Sequence, residues 1–501
     1  MDAAEVDEIA RAAGTAAAAL EGLGRHNRAT VLDGVADALE DARAAIVATA
    51  DRETSLGDGR LSQELTRTCF QLRLFGDVLR EGSYLEATID LPAATPMGPR
   101  PDLRRMLVPL GPVAVFGASN FPLAFSVPGG DTASALAAGC PVVVKAHPAH
   151  PETSRLCWST MQDAVVAHGL PVGTLGLVEG VRAGTALVGH PAITAVGFTG
   201  SAAGGRALQD IAAARQRPIP FYGELGSVNP LVVTPGAASQ RAEEIAQGFV
   251  GSMTVGTGQF CTKPGLLFLP SGADGERLRA ALADAVRRAP TGVMLSSAIH
   301  DAFDGEVARR RSDSRLTILG EASDDRAPRT GAAIVFDIAA SDLDDDLLEE
   351  SFGPTALVVG YTDLDQLVTT LGRLGGQLTA TVHAAAGETN LIARLHRVLR
   401  GRAGRLVFDG YPTGVAVSWA MHHGGPHPAT TSVAHTSVGT ASIRRWLRPI
   451  SYQNAPTDVL PPELRDENPT GVPQRVNGTL RSIGPAHGLP ALSDHHFSRH
   501  T

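Results

Sequence analysis

Gly258-Gln259-Phe260-Cys261-Thr262 sets a thiol among glycine-rich turns, just after a helix-like run from Gln240 to Gly251. A thiol so placed can attack an electrophilic carbon if the chain also supplies a base, a donor for a developing oxyanion and an acceptor for what is released. Unassisted, a cysteine is more often a small apolar filler. Asn120, within Phe116-Gly117-Ala118-Ser119-Asn120-Phe121-Pro122-Leu123, has an amide that can donate to an oxyanion, although an asparagine at a turn also bonds its own backbone. Glu224 opens Glu224-Leu225-Gly226-Ser227-Val228-Asn229-Pro230 at the end of an apolar strand. A desolvated carboxylate there has a raised pKa and suits general-base work; at a surface strand end it is an ordinary charge. Glu350, in Glu349-Glu350-Ser351-Phe352-Gly353-Pro354, can accept from sugar hydroxyls or simply sit in a loop.

Phosphate-binding signals are weak. The chain has no GxxxxGK[ST] and no clear GxGxxG after a strand, which argues against a P-loop NTPase and a standard dinucleotide fingerprint. The nearest substitute is Phe198-Thr199-Gly200-Ser201, followed by Ala202-Ala203-Gly204-Gly205. It joins a strand to a helix, so free N–H groups can face an anion, or Ser201 can be a plain N-cap. The run Met421-His422-His423-Gly424-Gly425-Pro426-His427-Pro428 lacks a cysteine or carboxylate at ligand spacing, so no metal site is expected.

The elements that must position these residues follow from patterning. Residues 3–82 read as three helices, broken at Gly22-Leu23-Gly24 and Leu56-Gly57-Asp58-Gly59. Residues 85–110 read as a hairpin across a Pro/Gly-rich loop. From Gly111, strands and helices alternate, with a helix opening on Pro128. A second unit after Glu224 has helices at 240–250 and 274–288 and five apolar strands. The fold class is α/β, with two Rossmann-like parallel-sheet domains plus a hairpin/C-terminal oligomerisation arm. At 501 residues, 43% hydrophobic and 19% charged, the chain is long enough for two or three packed units. With 43 Lys plus Arg against 52 Asp plus Glu, and no basic block, it has no nucleic-acid footprint. The acidic start is not a signal peptide and no apolar run spans a membrane, so no membrane partner is expected. Cys69, Cys140, Cys157 and Cys261 show no paired spacing, which fits a reducing cytoplasm.

Asn120, Lys145, the Phe198–Ser201 turn, Glu224, Cys261 and the Glu349–Pro354 segment occur in the order and at the separations of the aldehyde dehydrogenase superfamily. The resemblance covers about residues 5–470. It implies that Cys261 is the nucleophile, Asn120 the oxyanion donor and Glu224 the base that activates water. It also implies that Lys145 contacts the adenine-side ribose, Glu350 the nicotinamide ribose, and Phe198, Thr199, Gly200 and Ser201 the region of the pyrophosphate, with Phe352 beside Glu350. Many NAD-using members carry a glutamate where this chain has Pro148. A carboxylate there would repel a 2′-phosphate, and Arg182 in the next βα turn can clamp one, so NADP is favoured over NAD.

Pro412-Thr413-Gly414-Val415, the His-rich run and the later Pro-rich segments resemble the 2,5-dioxopentanoate (α-ketoglutarate semialdehyde) dehydrogenase branch, which includes NADP-dependent fatty-aldehyde dehydrogenases. The expected reaction is oxidation of 2,5-dioxopentanoate, with a medium- or long-chain aliphatic aldehyde as the alternative. A CoA-acylating relative or a non-catalytic paralogue fits Glu224 and Cys261 less well. Phe121, Phe260, His422 and His423 are expected at the substrate mouth. The expected domains are 1–84 with 109–225 and part of 412–447 for cofactor, 226–411 for the cysteine, and 85–108 with 448–470 as an arm forming a homodimer or homotetramer. Residues 480–501 read as a loose tail.

Overall fold

A computed structural model describes residues 1–323 and 328–481; the expected tail therefore falls, from 482 onward, outside the described residues. Four helices open the chain, α1 (Ala3–Gly22), α2 (Arg25–Asp41), α3 (Arg43–Thr54) and α4 (Asp58–Glu81), where the sequence reading expects three. Glycines at positive φ, Gly24 and Gly57, mark two of the breaks. The third falls at Ala42 (φ −86°, ψ 3°), where no glycine or proline signals it.

The hairpin at 85–110 is present as β1 (Thr88–Asp90) antiparallel to β4 (Leu103–Pro109). Its loop folds back as the ribbon β2 (Ala93–Thr95) and β3 (Gly98–Arg100). Five parallel strands follow: β5 (Val113–Phe116), β6 (Val142–Ala146), β7 (Leu175–Glu179), β8 (Ala195–Thr199) and β9 (Phe221–Glu224), in the order β7-β6-β5-β8-β9. Between them run α5 (Gly130–Ala138), α6 (Pro151–Ala167), α7 (Val181–Gly189) and α8 (Ala202–Ala214). Helix α5 starts at Gly130, two residues later than the expected opening on Pro128. The strand order reverses on either side of β5, which leaves a crevice at the carboxyl ends of β5 and β8.

The second sheet has seven strands in the order β13-β15-β16-β11-β10-β17-β18. They are β10 (Pro230–Val233), β11 (Leu266–Pro270), β13 (Thr317–Glu321), β15 (Ile334–Ala339), β16 (Thr355–Tyr361), β17 (Gln377–His383) and β18 (Ala403–Phe408). All pair in parallel except β13, which is antiparallel to β15. A two-residue ribbon, β12 (Gly292–Val293) with β14 (Thr330–Gly331), stands apart. Helix α9 (Pro235–Thr254) extends the expected one at 240–250, α10 (Ala273–Arg287) matches the one at 274–288 shifted by one residue, and α11 (Ser297–Ser312), α12 (Leu364–Arg373) and α13 (Thr389–Leu399) are additional to the sequence reading. The chain then returns to the arm as β19 (Leu447–Gln453), antiparallel to β4, and β20 (Gln474–Val476), parallel to β1 and antiparallel to β21 (Thr479–Arg481). The arm sheet thus reaches Arg481, beyond the segment at 448–470.

The two central sheets meet end to end. Lys145, Thr199 and Glu224 lie at the carboxyl ends of β6, β8 and β9, and Asn120 follows β5. Asn229 precedes β10, Cys261 precedes β11, Pro354 precedes β16 and Gln377 opens β17. Because β9 runs through a short loop into β10, the carboxyl edge of one sheet faces the amino edge of the other.

Candidate active site

The cysteine loop is held in a backbone conformation that few sequences tolerate. Gly258 has φ +67°, and a Cβ on it would lie 2.3 Å from the Gly353 carbonyl and 2.4 Å from the Pro354 nitrogen. The glycine before Gln-Phe-Cys and the Gly-Pro after Phe352 are therefore one contact between two distant motifs. Gly256 and Thr257, both at φ 57°, tighten the turn further. Asn229 fixes the other side of the loop. Its Nδ2 donates to the carbonyls of Cys261 (2.7 Å) and Lys263 (2.9 Å), while its Oδ1 accepts from the Thr379 N–H (3.1 Å) and hydroxyl (3.0 Å). Gln377 Oε1 accepts from the N–H groups of Val228 and Asn229, both at 3.0 Å. Asn229 and Gln377 were not among the expected site residues; the Asn-Pro pair in the Glu224 segment was the only signal.

Asn120 reaches the same loop. It is buried, and its Nδ2 donates to the Gln259 carbonyl at 2.8 Å, which leaves its second amide hydrogen uncommitted. Glu64 of α4 positions the loop that carries it, accepting from the N–H groups of Leu123 (2.8 Å) and Ala124 (2.9 Å).

His423 stands between the thiol and the carboxylate. Its Nε2 is 3.7 Å from Cys261 Sγ and 3.3 Å from Glu224 Oε2, the latter an approach without hydrogen-bond alignment. It is only 2% exposed, deeper than a substrate mouth. Its backbone is held by Thr436, whose hydroxyl accepts from the His423 N–H at 2.8 Å. His422 is half-buried and has no hydrogen-bond partner among the described residues.

Burial sets the protonation of all three groups. It pushes Glu224 up to about 8, against the opposing pull of Arg445. It holds His423 down at about 3, with Arg405 and Arg67 adding to the effect, so the imidazole is neutral. Cys261 is pushed up to about 12, by burial and then by the charges of Glu224 and Glu350. The resting group is a thiol, beside a carboxylate poised to take a proton. Cys69, Cys140 and Cys157 are fully buried in the helical and sheet core; Cys69 meets the Glu40 carboxylate, but none of the three lies beside Asn120, Glu224 or His423.

Phe121 and Phe260 meet edge to face at 5.1 Å, with the Arg60 guanidinium over both rings at 4.9 and 5.3 Å. Arg60, Arg67 and Arg405, none of them anticipated, converge on this side of the thiol from α4 and β18.

The crevice of the five-stranded sheet fits a nucleotide cofactor at one point above all. Lys145, at the end of β6, is half-buried, its ammonium is destabilised by burial, and it has no partner among the described residues. Pro148 is exposed just beyond it. Arg182 is exposed in the first turn of α7, after the neighbouring strand β7, and is likewise without a partner. Glu179, at the end of β7, is neutralised by a two-pronged contact with Arg155 (2.6 and 2.7 Å). Ser201 caps α8, its hydroxyl accepting from the Gly204 N–H at 3.3 Å, and Gly200 N–H is spent on the Glu224 carbonyl. Phe198 is a core residue packed between Phe116 and Phe221. Glu350 lies over Gly226, where a Cβ would come within 2.7 Å of its Oε2. Burial raises Glu350 and lowers its neighbour Lys263. Phe352 is half-buried beside the Gly258 contact.

Among the described residues no group of three His, Cys, Asp or Glu side chains could hold a metal ion, and no helix is long and apolar enough to cross a membrane.

A model of the aldehyde dehydrogenase family matches residues 1–428. The chain is 48% identical over 458 residues to the alpha-ketoglutaric semialdehyde dehydrogenase 2 of Azospirillum brasilense, covering 90% of this chain and 87% of that one. It is 41% identical over 481 residues to the alpha-ketoglutaric semialdehyde dehydrogenase of Acinetobacter baylyi, covering 95% and 91%. A solved 3,6-anhydro-L-galactose dehydrogenase in complex with NAP superposes with a TM-score of 0.76 at 21% identity, over 90% of this chain and 92% of that chain, and shares the fold.

Proposed function

We propose, from the premise that the chain belongs to the aldehyde dehydrogenase family and oxidises an aldehyde with NAD(P), that its substrate is 2,5-dioxopentanoate and its product 2-oxoglutarate. The substrate rests on the two relatives named above, similar over nearly their whole length. The chemistry rests on one observation, the placement of His423 Nε2 between Cys261 Sγ and Glu224 Oε2. Cys261 attacks the aldehyde carbon and its proton passes to the His423–Glu224 pair. The oxyanion of the thiohemiacetal accepts hydrogen bonds from the uncommitted Asn120 amide N–H and from the Cys261 backbone N–H. Bound NAD(P) supplies the hydride acceptor. Glu224, ionised after the proton has been shed, draws a proton from water as it attacks the thioester, which releases the acid and restores the thiol.

Lys145 and Glu350 would hold the two riboses, and Ser201 with the start of α8 the diphosphate. Pro148 and Arg182 favour a 2′-phosphate, so NADP is the preferred cofactor. The arm edge at β19 and the sheet edge at β18 are open to strand pairing, which supports a homodimer or homotetramer in the cytoplasm. A CoA-acylating activity is disfavoured, because Glu224 remains as a base for water.

The test is a panel of aldehydes with both cofactors and with added CoA. The expected result is highest kcat/KM for 2,5-dioxopentanoate with NADP and a free acid as product. Equal rates for pentanal, or an acyl-CoA product, would overturn the reading.

A further inference from the structure

Buried charges normally have a counter-charge, because an unpaired ion in a low-dielectric site is costly. Two half-buried guanidiniums beside the thiol have no counter-charge in contact among the described residues. Arg67 of α4 spends Nη1 on the Val415 carbonyl, and its Nε is buried without a partner. Its Nη2 has none either among the described residues. Nε and Nη2 form the side of the guanidinium that grips a carboxylate with two parallel bonds. Phe125 lies beneath it, with Cζ 5.7 Å from the ring centroid. Arg405 of β18 donates to the carbonyls of Gly414 (2.9 Å) and Pro412, and its Nε is also buried and unpartnered. The two arginines therefore clamp one loop, 412–415, from opposite elements. Neither makes a salt bridge among the described residues. Both act electrostatically on Cys261 and on His423. Glu64, whose buried charge acts on Arg67 without touching it, spends Oε1 on the Leu123 and Ala124 N–H groups, and its Oε2 lies 3.9 Å from Arg60 with no hydrogen bond. Arg60 itself is spent on the Asn120 carbonyl (2.6 Å) and the two phenylalanine rings.

We propose that the free Nε–Nη2 side of Arg67 is the receptor for a carboxylate at the far end of the aldehyde substrate, with Arg405 supplying a second positive charge and holding the loop that closes over it. This rests on the substrate reading above and specifies its recognition: the carboxylate is the counter-ion the two arginines lack. It selects acid semialdehydes over uncharged aldehydes of the same length, because an uncharged chain would desolvate both half-buried guanidiniums without giving either a charge in contact.

Two measurements test it. In the first, kcat/KM is compared for 2,5-dioxopentanoate and pentanal in the wild type, Arg67→Met, Arg67→Lys and Arg405→Met. Truncating one side of a buried charge pair is expected to cost roughly 100- to 1000-fold on the acid substrate, mainly in KM. The loss on pentanal should be smaller, so that the preference ratio falls at least tenfold. Arg67→Lys should recover part of the charge but not the two-pronged grip. In the second, Cys261 is alkylated with iodoacetate and with iodoacetamide, which differ in charge and not in reach. The iodoacetate-to-iodoacetamide rate ratio should fall about tenfold in Arg67→Met, and less in Arg405→Met. Equal losses on both aldehydes with an unchanged alkylation ratio would overturn the receptor. A wild type without preference for the acid substrate, but with an Arg67-dependent alkylation ratio, would overturn the substrate reading and leave the anion receptor standing.

Discussion

Asn229 and Glu224 lie five positions apart in one short segment, and their hydrogen bonding is opposite. Asn229 is fully engaged: its amide bridges the Cys261 and Lys263 carbonyls, and its oxygen takes Thr379 and the Ser227 hydroxyl. Glu224 keeps a buried oxygen, Oε2, with no hydrogen-bond partner among the described residues, and the ring of His423 opposite it keeps a buried nitrogen, Nδ1, in the same state. A satisfied buried network rigidifies; an unsatisfied one is costly and is kept where something must still bind or react. The segment thus divides into a scaffold that holds the cysteine loop and a reactive face left open for water, substrate and protons.

The comparison breaks most completely at the thiol. Cys261→Ser should lose at least about 10⁴-fold in kcat while keeping the wild-type Tm, since removing a nucleophile removes the covalent route and little packing. A serine variant with substantial activity would refute the covalent route. Next comes the base. Glu224→Gln should lower turnover by roughly 100- to 10,000-fold and trap an acyl group on Cys261, visible by intact-protein mass spectrometry. Wild-type turnover should rise with pH through about 8, as the carboxylate ionises, and this limb should be absent from the variant. The stability sign is the reverse. A carboxylate whose folded pKa is raised above its unfolded value of 4.5 loses stability for the fold as pH climbs from there through about 8. Glu224→Gln should therefore raise Tm relative to wild type more at pH 9 than at pH 5.

Asn229→Ala tests the scaffold side. It should cost about 3 kcal/mol of stability, as expected when a buried network loses its shared partner, and lower kcat through a loosened loop. A variant with normal Tm and normal kcat would erase the distinction between the two halves of the segment. The smallest expected effect lies at the crevice rim. Arg182→Ala should reduce kcat/KM with NADP by about tenfold, as for the loss of one charged phosphate contact, and leave NAD nearly unaffected. Equal change with both cofactors would remove Arg182 from the 2′-phosphate site.

Much of the fold was legible because its signals are local. Apolar runs of four or five residues bounded by Gly and Pro gave the parallel strands β5 to β11, and capped alanine-rich stretches gave the helices up to α10, though not α11 to α13. The break at Ala42 was not legible, since the chain bends there without a residue that must bend. Their motifs marked Cys261, Glu224 and Asn120 as candidates, and the structure brings Asn120 onto the cysteine loop and Cys261 and Glu224 to either side of His423. His423 was read as a mouth residue, because nothing in Met421-His422-His423 tells which imidazole turns inward. Only the bonds of its backbone to Thr436 decide that.

By itself the sequence determined the class of chemistry and the order of its parts: a thiol, a carboxylate, an amide and a lysine, each at a strand end where backbone geometry allows few alternatives. The tertiary structure alone decided what stands next to what. It brought Gly258 against Gly353, set His423 between the Cys261 thiol and the Glu224 carboxyl, and placed Arg67 and Arg405 on the same loop with no salt bridge among the described residues. Those are contacts between residues far apart in the chain. They depend on how two sheets meet end to end, and no local pattern of residues records that.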